Sequence, residues 1–192
     1  MIATTHILKL SSAAEWRNWL SKHHESTATV WVAVSRKNAP TFTLSQNEAV
    51  LEALCYGWID GTARPLNEHY FLQSFSRRKP KSVWSKINKE RVKQFIKDGR
   101  MAQPGLDSIT VAKSNGYWSI LDDVEALIIP TDLATELKKD KATAAYFEGL
   151  ARSNKKQLLQ LIVLAQRPET RAKRLLEVVT AAQQGQKPAR FS

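Results

Sequence analysis

Ser45-Gln46-Asn47-Glu48 is an S-x-x-E capping box, and it opens a helix whose two ends are both written in the sequence. The Ser45 hydroxyl accepts from the Glu48 amide, and the Glu48 carboxylate reaches back to the Ser45 amide, so two otherwise orphaned donors are satisfied locally. Val50, Leu51, Leu54 and Cys55 recur at helical spacing on an inward face, and Gly57 supplies the left-handed residue that ends such a helix. The period then changes. Asp60-Gly61 reads as a turn, and Arg64 to Leu66 and His69 to Phe75 read as two short strands around Asn67-Glu68. A second helix starts near Ser85 to Asn88. With Asn88 as its N-cap, Ile87 and Val92 form a hydrophobic staple, and Val92, Phe95 and Ile96 face the core as far as Gly99.

The flanks fit around this stretch. Trp16, Trp19 and Leu20 mark a helix over Glu15 to His24, and Val30 to Val34 is a β-branched strand. Pro104 suits the start of a helix that stops near Gly116. Thr131, Asp140 and Ser153 are N-cap candidates for later helices, and Pro168 opens a last one with Leu175, Leu176, Val178 and Val179 buried. The prediction is a single α+β domain over 1–185: a small, mostly antiparallel sheet packed on helices, helical from about residue 100, with a flexible tail over 186–192. The longest apolar run, Leu158 to Ala165, is broken by Gln160 and too short for a membrane span.

Charge is the second constraint. The 192 residues carry net +11, unevenly spread. Residues 71–104 hold 10 basic and 2 acidic side chains, and 151–192 hold 9 and 2, whereas 105–150 are net acidic. Such blocks attract anionic small molecules or nucleic acid, or else serve as solvated faces that keep a protein in solution.

Arg77, Arg78, Lys79 and Lys81 lie just before a helix start that also offers Trp84, Ser85, Lys86 and Asn88. A helix N-terminus presents free amides and positive potential, so it suits anions, and arginine grips phosphate or carboxylate through two donors. The expected site is a basic aromatic groove lined by Trp58, Asp60, Arg64, Tyr70, Arg77, Arg78, Trp84, Ser85 and Asn88. Arg167 to Arg174 is a second basic segment, with Glu169 and Lys173 as an ordinary i, i+4 pair in its plainer reading.

Catalysis is less marked. Cys55 serves as a nucleophile only beside a base, and its inward position predicts an inert thiol. Asp60 is a general base, a partner of Arg64, or a carboxylate capping its own turn. His6, His23, His24 and His69 show no metal spacing, and no phosphate-loop, dinucleotide or nucleophile-elbow motif occurs, so neither metal nor cofactor is expected. A single cysteine and the absence of an apolar leader in MIATTHILKLSSAAEW point to the cytoplasm. Oligomeric state is not encoded in these patterns.

LEALCYGWIDG, FSRRKPKSVWSKIN and AQRPETRAKRL resemble hallmark segments of the bacterial YdeI/OmpD-associated, or bacteriocin-protection, family. The resemblance runs from about Trp16 to Gly185. It implies a role in tolerance of antimicrobial peptides or in envelope stress, and brings no agreed reaction or catalytic set. The motif positions it marks are Cys55, Gly57, Trp58, Ile59, Asp60 and Gly61, then Arg77, Arg78, Ser82, Trp84, Ser85 and Asn88.

Overall fold

The computed structural model describes residues 7–41, 43–188 and 191. His6 and part of the 186–192 tail lie outside the described residues. The chain divides into two compact units with the boundary after Trp118.

In the first unit the described elements are β1 (Ile7–Lys9), α1 (Ala13–His23), β2 (Thr29–Ser35), α2 (Gln46–Cys55), β3 (Trp58–Pro65), β4 (Tyr70–Arg77), α3 (Lys86–Lys97) and α4 (Gln103–Ser114). The strand order is β1-β2-β4-β3. β2 pairs antiparallel with β4, and β4 with β3, but β1 pairs parallel with β2. The sheet is therefore mixed rather than mostly antiparallel. The reason is the crossover: α1 carries the chain back so that β1 and β2 run the same way, and a parallel pair needs such a connection. A three-residue strand has too little periodic pattern to stand out in sequence.

The hairpin also differs from its expected form. Asp60-Gly61 is not a turn. It lies inside β3, at a register irregularity between Asp60 and Ala63. The chain reverses at Asn67, whose Oδ1 accepts from the amides of His69 and Tyr70. The asparagine side chain thus closes the turn that the strands predicted.

Register assigns the faces. Val30, Val32 and Val34 lie opposite Phe75, Gln73 and Phe71, and these valines cluster with Trp16 and Leu20 of α1 and Ala49 and Ala53 of α2. A second cluster joins Leu54 and Cys55 to Trp84, to Val92 and Phe95 of α3 and to Ile109 and Ala112 of α4. One helix thus serves two cores: α2 turns Ala49 and Ala53 to the sheet, and Leu54 and Cys55 to α3 and α4. Ile96, expected inside, is 50% exposed.

Glu52 of α2 is buried and accepts from Arg17 Nη1 and Arg100 Nη2, each at 2.8 Å. That hydrogen bond raises the Arg17 pKa above its ordinary value. A buried carboxylate needs such partners to offset its lost hydration.

Among its described residues the regular elements of the second unit are all helices: α5 (Asp122–Glu125), α6 (Thr131–Leu137), α7 (Lys141–Gly149), α8 (Arg152–Val163) and α9 (Pro168–Gln183). Leu133, Phe147, Leu159, Ile162 and Val178 are buried. Asp140 caps α7 as expected, its carboxylate accepting from the Thr143 amide. Thr131 and Ser153 are not caps; they lie inside α6 and α8, which begin after Pro130 and Ala151. Leu176 is 66% exposed rather than buried.

Arg171 donates from Nε and Nη2 to the two carboxylate oxygens of Asp132 and from Nη1 to the carbonyl of Ile162. Arg174 donates to the carbonyl of Leu161. Two cations of the C-terminal basic segment therefore hold α6 and the end of α8 to α9, with both arginines near the orphaned carbonyls of a helix C-terminus.

Candidate functional site

Two helices begin beside one cavity in the first unit. The α2 start is the predicted capping box: Ser45 Oγ accepts from the Glu48 amide at 3.2 Å, and Glu48 Oε2 accepts from the Ser45 amide at 2.9 Å. The Ser45 contacts hold the Glu48 carboxyl below the usual range. The α3 start is capped by Ser85, whose Oγ accepts from the Asn88 amide at 3.3 Å. The N-cap is therefore Ser85, and Asn88 sits in the first turn.

The cavity measures about 380 Å³. Gln46, Asn47 and Val50 of α2 line one part of it; Ser85, Ile87, Asn88 and Arg91 line another, and Asp60 of β3 completes it. Arg91 Nη2 donates to Asn47 Oδ1 at 3.2 Å, which ties the two helices together. Gln46 Nε2 donates to Gln73 Oε1, and Gln73 Nε2 donates to the Gly61 carbonyl beside Asp60. Each serine cap takes one first-turn amide. The other first-turn amides and two helix dipoles leave this end of the unit positive in potential.

The nine residues expected to share a groove are divided by the structure. Asp60, Ser85 and Asn88 line the cavity together. Trp58 and Trp84 are each 1% exposed and belong to the two cores, so their indoles are packing rather than lining. Arg78 covers Trp84 with its guanidinium carbon 3.9 Å from the ring centroid, and its Nη1 donates to the Val83 carbonyl. Burial pulls the Arg78 pKa down to about 10, with the charge of Asp60 opposing that fall.

Arg64 is paired opposite Leu72, and Tyr70 opposite Ser35, which places both on the sheet face away from Phe71, Gln73 and Phe75. There Arg64 stacks on Trp31 at 3.8 Å rather than pairing with Asp60, and Tyr70 Oη donates to the Thr41 carbonyl. Arg77 is exposed. Gln46, Asn47, Val50, Ile87 and Arg91 were not foreseen as lining. Their only sequence signal is that two serine caps, at 45 and 85, each precede polar first-turn residues.

Cys55 is fully buried, and desolvation first, then the Glu52 charge, push its thiol pKa up. A thiol held protonated is a poor nucleophile. No group of three or more His, Cys, Asp or Glu side chains able to hold a metal occurs among the described residues. Among them, too, no helix is long and apolar enough to cross a membrane.

Fold and site together define a mixed-sheet α+β unit with a polar cavity at two helix starts, followed by a helical unit. Residues 8–108 match the family model described as domain of unknown function DUF8412, more than half of the chain, and the protein belongs to that family. Residues 126–185 match a second model, described as bacteriocin-protection, YdeI or OmpD-associated. The YdeI/OmpD likeness thus holds over the helical part containing AQRPETRAKRL, while LEALCYGWIDG and FSRRKPKSVWSKIN fall in the stretch matched by DUF8412. No curated protein and no solved structure matches the chain.

Proposed function

We propose that the protein binds an anionic small molecule in the cavity between the first turns of α2 and α3. The supporting observation is the convergence of two helix N-termini and Arg91 on one polar cavity. Unspent first-turn amides and a guanidinium are the groups that bind phosphate or carboxylate. Binding, rather than catalysis, is the reading favoured by a buried, protonated Cys55. The physiological part of the proposal is cytoplasmic action in tolerance of antimicrobial peptides or envelope stress; the description of the family matched by residues 126–185 supports only its bacteriocin-protection element.

A thermal-shift screen of nucleotides, phosphorylated metabolites and short oligonucleotides tests it, because a ligand of the folded state raises Tm. A small anion should raise Tm, Arg91→Gln should weaken it about tenfold, and Arg64→Gln on the opposite sheet face should not. Arg91→Gln without effect on a ligand that does bind would place binding elsewhere. The second reading, nucleic-acid binding, draws on the exposed Arg77, Lys79 and Lys81. It predicts that oligonucleotide affinity falls steeply with salt, whereas a flat dependence removes it.

A further inference from the structure

We infer that the ligand of this cavity carries a hydrogen-bond donor, an ammonium or hydroxyl, beside its anionic group, and that Asp60 receives that donor. The inference rests on the anion-binding reading and narrows it. Asp60 is half-buried in the cavity wall, and among the described residues its carboxylate makes no hydrogen bond or ion pair. Of the other polar wall side chains, Arg91 pairs with Asn47, Gln46 with Gln73, and Ser85 with the Asn88 backbone amide, while the Asn88 side chain, a neutral amide, offers both donor and acceptor. Arg78, the cation whose charge Asp60 feels, directs Nη1 to the Val83 carbonyl and its face to Trp84.

One anionic, acceptor-only group therefore stands in a cavity whose other lining residues are Arg91 and neutral side chains. A plain anion gains from Arg91 and the helix starts but is repelled by Asp60. An anion bearing a donor meets both kinds of wall, and a charge-assisted hydrogen bond to a carboxylate is among the stronger ones. Rejection of the donorless anion adds to selectivity as much as attraction does.

The matched probes are O-phosphoethanolamine and ethyl phosphate, similar in size and differing in the ammonium. Each is titrated calorimetrically into the full chain and into Asp60→Asn. Phosphoethanolamine is expected to bind the wild type about tenfold tighter than ethyl phosphate. Asp60→Asn should weaken phosphoethanolamine and strengthen ethyl phosphate, whereas Asp60→Glu, checked for native near-ultraviolet dichroism, should keep the wild-type preference. Equal binding of both probes to the wild type, or an Asp60→Asn effect of the same sign on both, overturns the inference while leaving the anion reading in place. An Asp60→Asn chain with a lower Tm and unchanged affinities reduces Asp60 to a structural partner of Arg78 and also overturns it. Failure of both probes to bind either chain overturns the anion reading and this inference together.

Discussion

The guanidinium carbon of Arg78 sits 3.9 Å from the centroid of the Trp84 ring, and this pair closes the second core beside the cavity. Trp84 is buried, so the arginine acts as a lid on its indole rather than as a free ligand for anions. Arg78 Nε is itself buried without an acceptor among the described residues. Arg78→Ala should cost about 2–3 kcal/mol in urea denaturation, from lost stacking and the lost bond to Val83. Arg78→Met keeps the stem and removes a costly buried charge, so it should cost less.

The same residue makes a pH prediction. Its folded pKa, about 10, lies below the value for a free arginine. The unfolded chain therefore binds more protons above about pH 10, and stability contributed by this group rises with pH there. Below that pH the penalty of the buried charge is fully present. The stability of the wild type relative to Arg78→Met should increase as pH is raised through 10. A pH-independent difference would show that the guanidinium is not desolvated.

Gly105 lies in α4 where a helix normally welcomes alanine. A Cβ there would stand 2.2 Å from the Cys55 carbonyl oxygen and 2.9 Å from its carbonyl carbon, so α4 approaches the end of α2 backbone to backbone. Gly105→Ala should destabilise by about 3 kcal/mol, because backbone must move to admit it. Gly149→Ala, with nothing within 4 Å of its Cβ, should be neutral or stabilise by a few tenths of a kcal/mol. Urea midpoints of the two variants make the comparison; equal midpoints would contradict the close approach.

Trp16 and Trp58 are both fully buried in the first core and differ in their indole N–H. Trp16 Nε1 donates to the Ala49 carbonyl at 3.0 Å, while Trp58 Nε1 has no acceptor among the described residues. Both lose similar volume as phenylalanine, but only Trp16→Phe gives up a formed hydrogen bond, the Ala49 carbonyl keeping its bond within α2, whereas Trp58→Phe removes a donor that has no acceptor among the described residues. Trp16→Phe should be the costlier by about 1 kcal/mol in chemical denaturation. The reverse order would mean that Trp58 Nε1 has found a partner.

The helix boundaries beside the site are legible as local signals, but of its lining only Asp60, Ser85 and Asn88 are. The Ser45 box, Gly57 and Gly99 were readable because each works within a few residues through hydrogen bonds or a positive φ. Residues adjacent in sequence need not share a groove, because strand alternation sends them to opposite sheet faces. Arg64 and Tyr70 turn away from Asp60, and the irregularity after Asp60 is invisible to a period-two pattern. Trp58 and Trp84 offer aromatic ligand chemistry in sequence, yet their area makes them core residues first.

By itself the sequence determined the Ser45 capping box, the Asp140 cap, the helix ends at Gly57 and Gly99, the strand around Val30 to Val34, and where positive charge concentrates, since these follow from nearest-neighbour sterics, capping and composition. Tertiary structure alone decided that β1 joins β2 in parallel and that Arg171 and Arg174 bond to Asp132 and to the carbonyls near the end of α8. It also brought Gln46, Asn47 and Arg91 to Asp60. Those outcomes depend on how distant apolar faces fit together. Such fits are set by shape complementarity across the whole core, on which no short segment carries a local mark.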